Sequence, residues 1–255
     1  MLRARVIPCL LLRRQGLVKT IRFKDPSYVG DPLNAVKIFN DKEVDELILL
    51  DIFASRQGTA PDLDYIHQVA EECFMPLCYG GGVDSVNLAK RIVALGVEKI
   101  AVNSAALERP ALIREISDAI GAQSTVVAID VRRDWMGRPR VFNAARGKAT
   151  DLSPADYARK VAAFGAGEIL LNDVDRDGTQ KGLDYKTIRA VVDAVDVPVV
   201  ACGGAADIAD IKGAVHEGGV SGVAAGSLFV YQGKHRAVLI SYPDYALLER
   251  EIGHL

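Results

Sequence analysis

The chain has 255 residues, 49% hydrophobic and 25% charged, with a formal net charge of -2. This is the composition of a globular chain that buries a large core, and its charge balance argues against nucleic acid as a principal partner. No apolar stretch approaches the ~20 residues of a membrane span. The opening Met1-Leu2-Arg3-Ala4-Arg5 lacks a signal-peptide layout, so a cytoplasmic protein with no membrane partner is expected.

In chain order, the first apolar run, 6–12, predicts a strand that contains Leu11 near its end. A long polar loop, 13–30, follows and carries Lys19, either a solvated loop lysine or one that closes over an anionic ligand. A second strand at 46–52 ends near Asp51, a candidate ligand-binding acid that Ser55 and Arg56 could instead satisfy in a structural role. After an amphipathic helix at 62–72, a third strand at 76–79 runs into Gly80-Gly81-Gly82. A helix at 86–95 leads to the fourth strand, 99–102, followed by Asn103-Ser104. Beyond a helix at 111–120, the fifth strand, 125–131, carries Asp130 near its end, with the basic pair Arg132-Arg133 read as a solvated loop or, otherwise, a phosphate or partner contact. Ser153-Pro154 opens a helix at 154–164, because Ser caps and Pro suits the first turn. The sixth strand, 168–171, precedes an acidic turn at 172–179, and a helix follows at 185–194. The seventh strand, 198–201, ends at Gly203-Gly204, and the eighth, 222–225, at Gly226-Ser227.

The strands are short, rich in Val, Ile and Leu, and do not alternate, as expected when both faces are buried in a parallel sheet. Eight of them alternating with helices predict one (βα)8 barrel domain over 1–255, ahead of a doubly wound sheet. The halves also resemble each other: LILLDIFAS echoes ILLNDVDRD, PLCYGGG echoes PVVACGG, and the offset stays at 121–123 residues. A steady offset near half the chain implies a two-fold half-barrel repeat.

Glycines and small residues after strands three, four, seven and eight let backbone N–H groups approach an anion. Gly82, Asn103 and Ser104 in one half, with Gly204, Gly226 and Ser227 in the other, therefore predict two phosphate sites and a ligand phosphorylated at both ends. Asp130, at the end of a barrel strand, points to the functional face and is the candidate catalytic acid or base. Asp177 and Gly178 sit in a turn whose acids suit ligand hydroxyls better than a metal, since the oxygen-ligand spacing is incomplete. No metal or cofactor is called for. His67, His216, His235 and His254 fall in helices or the C-terminal tail, so acid–base chemistry rests with carboxylates. Cys9, Cys73, Cys78 and Cys202 lack zinc spacing and are read as buried free thiols. Arg5, Glu46, Lys99 and Glu168 begin strands one, two, four and six; either they are surface ions or they pair as a ring closing the barrel floor.

These residues together resemble the imidazole glycerol phosphate synthase cyclase subunit (HisF) family. The resemblance spans nearly the whole chain: ARVIPCL at 4–10, GDP at 30–32, DELILLDI at 45–52, YGGGV at 79–83, VNSAAL at 102–107, VVAIDV at 126–131, GAGEILL at 165–171, DRDGT at 175–179 and CGGA at 202–205. It implies a barrel that docks a glutaminase on its N-terminal face and receives ammonia through its centre. The family's product is imidazole glycerol phosphate, formed in histidine biosynthesis. Gly82, Asn103, Ser104, Asp177, Gly178, Gly204, Gly226 and Ser227 match ligand positions, and Lys19 matches a lid-loop lysine. Arg5, Glu46, Lys99 and Glu168 match the ammonia gate, and Glu98 a charged position facing the glutaminase. Of two catalytic aspartates, one is Asp130, and Leu11 occupies the place of the other. Asn172 and Asp173 replace the small hydroxyl residues usual at the sixth strand's end. This combination is similar to the HisF-like branch associated with surface-polysaccharide synthesis, implying ammonia supply to a separate sugar amidotransferase. Two other readings stay open: a true cyclase in which Asp51 or Asp173 supplies the missing acid, and a non-catalytic scaffold that binds a sugar phosphate.

Overall fold

The computed structural model describes residues 3–253. Its strands β1 (Arg5–Arg13), β2 (Leu47–Asp51), β3 (Leu77–Gly80), β4 (Lys99–Val102), β5 (Thr125–Arg133), β6 (Glu168–Asp173), β7 (Val199–Cys202) and β8 (Gly222–Ala225) pair in parallel and in order. The sheet closes through Arg5↔Gly222 to Pro8↔Ala225, which makes the expected (βα)8 barrel. The resulting strand ends all face one way, so loops that follow strands share one rim.

Strand alternation sorts the core into two compartments. On β1, Val6, Leu10 and Leu12 turn outward to the helices, whereas Ile7, Cys9 and Leu11 turn into the barrel. The inner cluster continues through Ile48, Cys78, Ala101, Val126, Ala128, Leu170, Val200 and Ala224. Each fully buried Leu or Ile contributes about 2 kcal/mol, so the closed register is strongly specified. The helices are fixed at their starts: Asp31, Asp62, Ser85, Ser153, Asp184 and Asp207 each accept a hydrogen bond from the N–H three residues on. Each such cap is worth about 1 kcal/mol. The Ser153-Pro154 helix start is among them.

The predicted loop at 13–30 is instead an antiparallel hairpin, Gly16–Ile21 against Lys24–Gly30, continuing β1. Its turn is made by Arg22 and Phe23, at φ 54° and 62°. Tight hairpin turns of this hand usually take Asn or Gly, so Arg22-Phe23 carries no local turn signal. A second hairpin was also unforeseen: β5 runs on to Arg133 and pairs with Pro139–Asn143. Arg133 is no solvated loop residue. It pairs with Asp173, Asp175 and Asp184, while Arg132 lies 4.0 Å from the centre of the Phe142 ring. His235 occupies the turn of a third short hairpin, Tyr231–Gln232 with Ala237–Val238, and His254 lies outside the described residues.

Candidate functional site

At the rim formed by the strand ends, one open cavity contains about 1300 Å³ of unfilled space. Leu11, Lys19, Asp51, Gly82, Asn103, Ser104, Asp130, Asp177, Gly178, Gly204, Gly226 and Ser227 all line it. Tertiary structure thus gathers residues from all eight strand ends and one hairpin into a single site.

Asp130 stands on β5 and is 5% exposed. Asn103 Nδ2 donates to Oδ2 at 2.7 Å, and Asn172 Nδ2, beside it in the β5–β6 ladder, donates to Oδ1 at 3.3 Å. Burial pushes the Asp130 carboxyl up to about 6, because two amide donors only partly replace the lost water. Leu11, on strand β1 across the barrel from β5, packs in the inner apolar cluster with Val18, Leu50 and Leu170. The cavity therefore has a titratable wall and, at the position of the expected second acid, a hydrocarbon one.

Lys19 is not a solvated loop residue; it is 5% exposed on the first hairpin. Its Nζ lies over Gly226, where any side chain would collide with it. Asp177 accepts from Thr20 Oγ1 at 2.9 Å, and burial raises its carboxyl despite the nearby Lys19 charge. Thr20, Phe23, Gln180, Ala144 and Ala145 also line the cavity, and sequence reading missed them because they lie on the unforeseen hairpins or in turns. Ser227 Oγ and Asn172 Oδ1 are buried with no hydrogen-bond partner among the described residues. An unsatisfied buried hydroxyl costs about 1–3 kcal/mol, so Ser227 marks a place in the cavity wall where a polar ligand group would be favoured.

Two acids are already engaged by backbone N–H groups. Asp51 accepts from Phe53 N and Ala54 N, at 2.9 and 3.0 Å, and does not rely on Ser55 or Arg56. Ser55 instead accepts from Gly82 N, and Arg56 donates to the Ala144 carbonyl. Asp173 accepts from Asp175 N and Arg176 N and pairs with Arg133, outside the main cavity. Of the cysteines, all free, Cys9 and Cys78 are buried as expected, but Cys73 and Cys202 are half-buried, since one ends a helix and the other borders the cavity.

At the opposite end, Arg5 pairs with both Glu46 and Glu168, the latter at 2.6 Å. Lys99 pairs with the same two carboxylates, at 3.0 and 3.3 Å. The four groups form a closed alternating ring, with Glu46 2% and Glu168 7% exposed. They are not surface ions. Burial raises the Glu46 carboxyl, opposed by Arg5 and Lys99. Burial also works against the Arg5 charge, but Glu168 and Glu46 outweigh it and raise its pKa. Glu98 is exposed on this floor, its N–H donating to Leu77 O at 2.9 Å, and Phe74, 86% exposed, stands in the loop before β3. Between floor and cavity the inner wall is apolar.

The family described as histidine biosynthesis protein matches residues 5–236. A Pseudomonas aeruginosa protein provisionally named imidazole glycerol phosphate synthase subunit hisF2 is 54% identical over 249 residues, covering 98% of this chain and 99% of its own. A Vibrio vulnificus protein with the corresponding provisional name, hisF3, is 48% identical over 245 residues, covering 96% of this chain and 94% of its own. The imidazole glycerol phosphate synthase subunit HisF of Alkaliphilus metalliredigens is 39% identical over 231 residues, covering 91% and 92%.

Proposed function

The chain belongs to the histidine biosynthesis protein family, among HisF-like subunits of imidazole glycerol phosphate synthase, and from that premise we propose that it handles ammonia without performing the cyclisation. In this reading a glutaminase partner docks on the N-terminal face, near Glu98 and the ring of Arg5, Glu46, Lys99 and Glu168. Ammonia released there crosses the barrel and leaves at the upper cavity for a separate amidotransferase acting on a surface-polysaccharide sugar. The observation that carries the reading is the pairing of an intact charged ring with Leu11 in the cavity wall.

The physical argument has three parts. A neutral ammonia molecule loses far less on entering the apolar interior than ammonium, which meets the much larger desolvation cost of an ion. The ring keeps water and ions out while its four charges stay compensated, and it must part transiently for passage. In the cavity, Asp130 with its raised pKa exchanges one proton near neutrality. Ring closure in this family draws on a pair of acids with separate duties, and a missing acid or base costs roughly 10²–10⁴-fold. Lys19, Gly82, Asn103, Ser104, Asp177, Gly178, Gly204, Gly226 and Ser227 are assigned to a phosphorylated ligand.

The test is turnover of the bis-phosphorylated histidine intermediate by the purified chain with glutaminase or with ammonium salts. At least 10²-fold less imidazole glycerol phosphate than an Asp-containing family member is expected, and Leu11→Asp should recover part of the difference. Turnover at the usual family rate would sink the proposal in favour of a true cyclase. The acid then responsible would be Asp177, which lines the cavity, rather than Asp173, which is held by Arg133.

A further inference from the structure

Large apolar side chains are unevenly exposed. Of the ten that stand out among the described residues, six (Ile21, Tyr28, Trp135, Met136, Val238 and Leu239) lie on or beside the three hairpins that follow β1, β5 and β8. All three rise from the strand ends, around the cavity mouth. Phe23 on the first and Ala144 and Ala145 beside the second line the cavity itself, so apolar rim and cavity are continuous. Scattered single apolar residues need no explanation, but a cluster around a mouth marks an interaction site.

The second hairpin carries the strongest feature. Trp135 is 91% exposed and is the chain's one tryptophan. Its tip is not a loose loop. Asp134 Oδ1 accepts from Met136 N and Arg138 N at 2.9 and 3.0 Å, and Oδ2 accepts from Arg138 and Arg140 at 2.9 and 3.3 Å. The backbone closes with Asp134 N to Arg138 O at 2.9 Å. A rigid turn that holds a tryptophan in water gains nothing for the monomer, yet supplies a preorganised anchor for a partner, where Trp is enriched in binding hot spots. The rim is also cationic. Arg14, Lys24, Lys148 and Lys234 are exposed and form no ion pair among the described residues, so an acidic partner face is complementary.

We propose that these hairpins form the docking ring for the enzyme that consumes the ammonia, with Trp135 as its anchor. The proposal rests on the ammonia-delivery reading above. Ammonia leaving an open mouth is protonated in water, so transfer to a second enzyme requires that the mouth be covered. The partner is thus a protein that forms a carbon–nitrogen bond on a sugar. It presents an apolar socket for Trp135 within an acidic field.

The experiment uses the full chain labelled with 5-fluorotryptophan, which gives one 19F resonance, together with the glutaminase and the sugar amidotransferase. The resonance is expected to shift when the sugar enzyme is added and to stay fixed with glutaminase alone. Trp135→Ala should weaken binding of the sugar enzyme at least tenfold while leaving glutaminase affinity unchanged. Lys148→Glu should weaken it further and flatten its salt dependence. The docking proposal is overturned if the sugar enzyme binds or receives ammonia with the resonance unmoved and Trp135→Ala neutral. It is equally overturned if the shift appears with rising concentration of the chain alone, or only with phosphatidylglycerol vesicles. If instead no ammonia reaches the sugar enzyme under any condition, the ammonia-delivery reading itself has failed, and the docking proposal falls with it.

Discussion

The two ends of the barrel treat buried charge in opposite ways. At the floor, two cations and two carboxylates satisfy one another in a closed ring. At the mouth, Asp130 is held by two neutral amides, and Ser227 Oγ has no partner among the described residues. A compensated ring is locally complete, which suits a barrier. An incompletely satisfied cavity gains from a ligand, which suits a binding site. The Asp130 carboxyl, up to about 6, and the mutually held floor charges are two outcomes of the same desolvation.

The contrast breaks most readily at the floor. Glu46→Ala leaves Arg5 and Lys99 facing a single carboxylate, and losing one partner of a buried pair costs about 3–5 kcal/mol. Arg5 keeps 26% side-chain exposure, so the lower end of that range is expected in chemical denaturation. A loss below about 1 kcal/mol would show that the ring behaves as a surface cluster.

Asp130 gives the opposite sign. Its folded pKa lies above its ordinary value of 3.8. The folded state therefore holds the proton more tightly than the unfolded chain does. The stabilisation from Asp130 is fully present below pH ~4 and is lost as pH rises through about 6. Asp130→Asn should raise stability at pH 7.5 by roughly 1–3 kcal/mol and flatten the pH dependence between those limits. Denaturation midpoints across that range check it, and a destabilised variant would mean that the ionised carboxylate is structurally required.

The smallest effect is expected at Ser227. With no partner to lose, Ser227→Ala should leave the free protein unchanged or stabilise it by up to about 1 kcal/mol. It should also weaken inorganic phosphate binding about tenfold, as read by titration calorimetry. Equal affinity in both proteins would place the anion elsewhere in the cavity.

Most of the architecture was legible because it is local. Short Val/Ile/Leu runs define all eight strands, and Asp or Ser before an apolar stretch marks helix starts at Asp62 and Ser153. The cavity residues were legible because strand ends converge by topology. What escaped notice had no local signature. The hairpin bearing Lys19 turns on Arg22 and Phe23, residues that favour no such conformation on their own. Arg133 reads as a loose cation until β6 and its following turn bring three carboxylates to it.

The sequence by itself determined the barrel, the strand-end placement of Asp130 and Leu11, and the identities of the four floor charges, because alternation and spacing are properties of the chain alone. Only the tertiary structure decided that those four charges close into one buried ring, that Lys19 is buried against Gly226, and that Trp135 stands rigid at the mouth. The reason is desolvation. Whether a charge or an aromatic ring is covered depends on what distant segments bring to it, and no single stretch of sequence contains both sides of that contact.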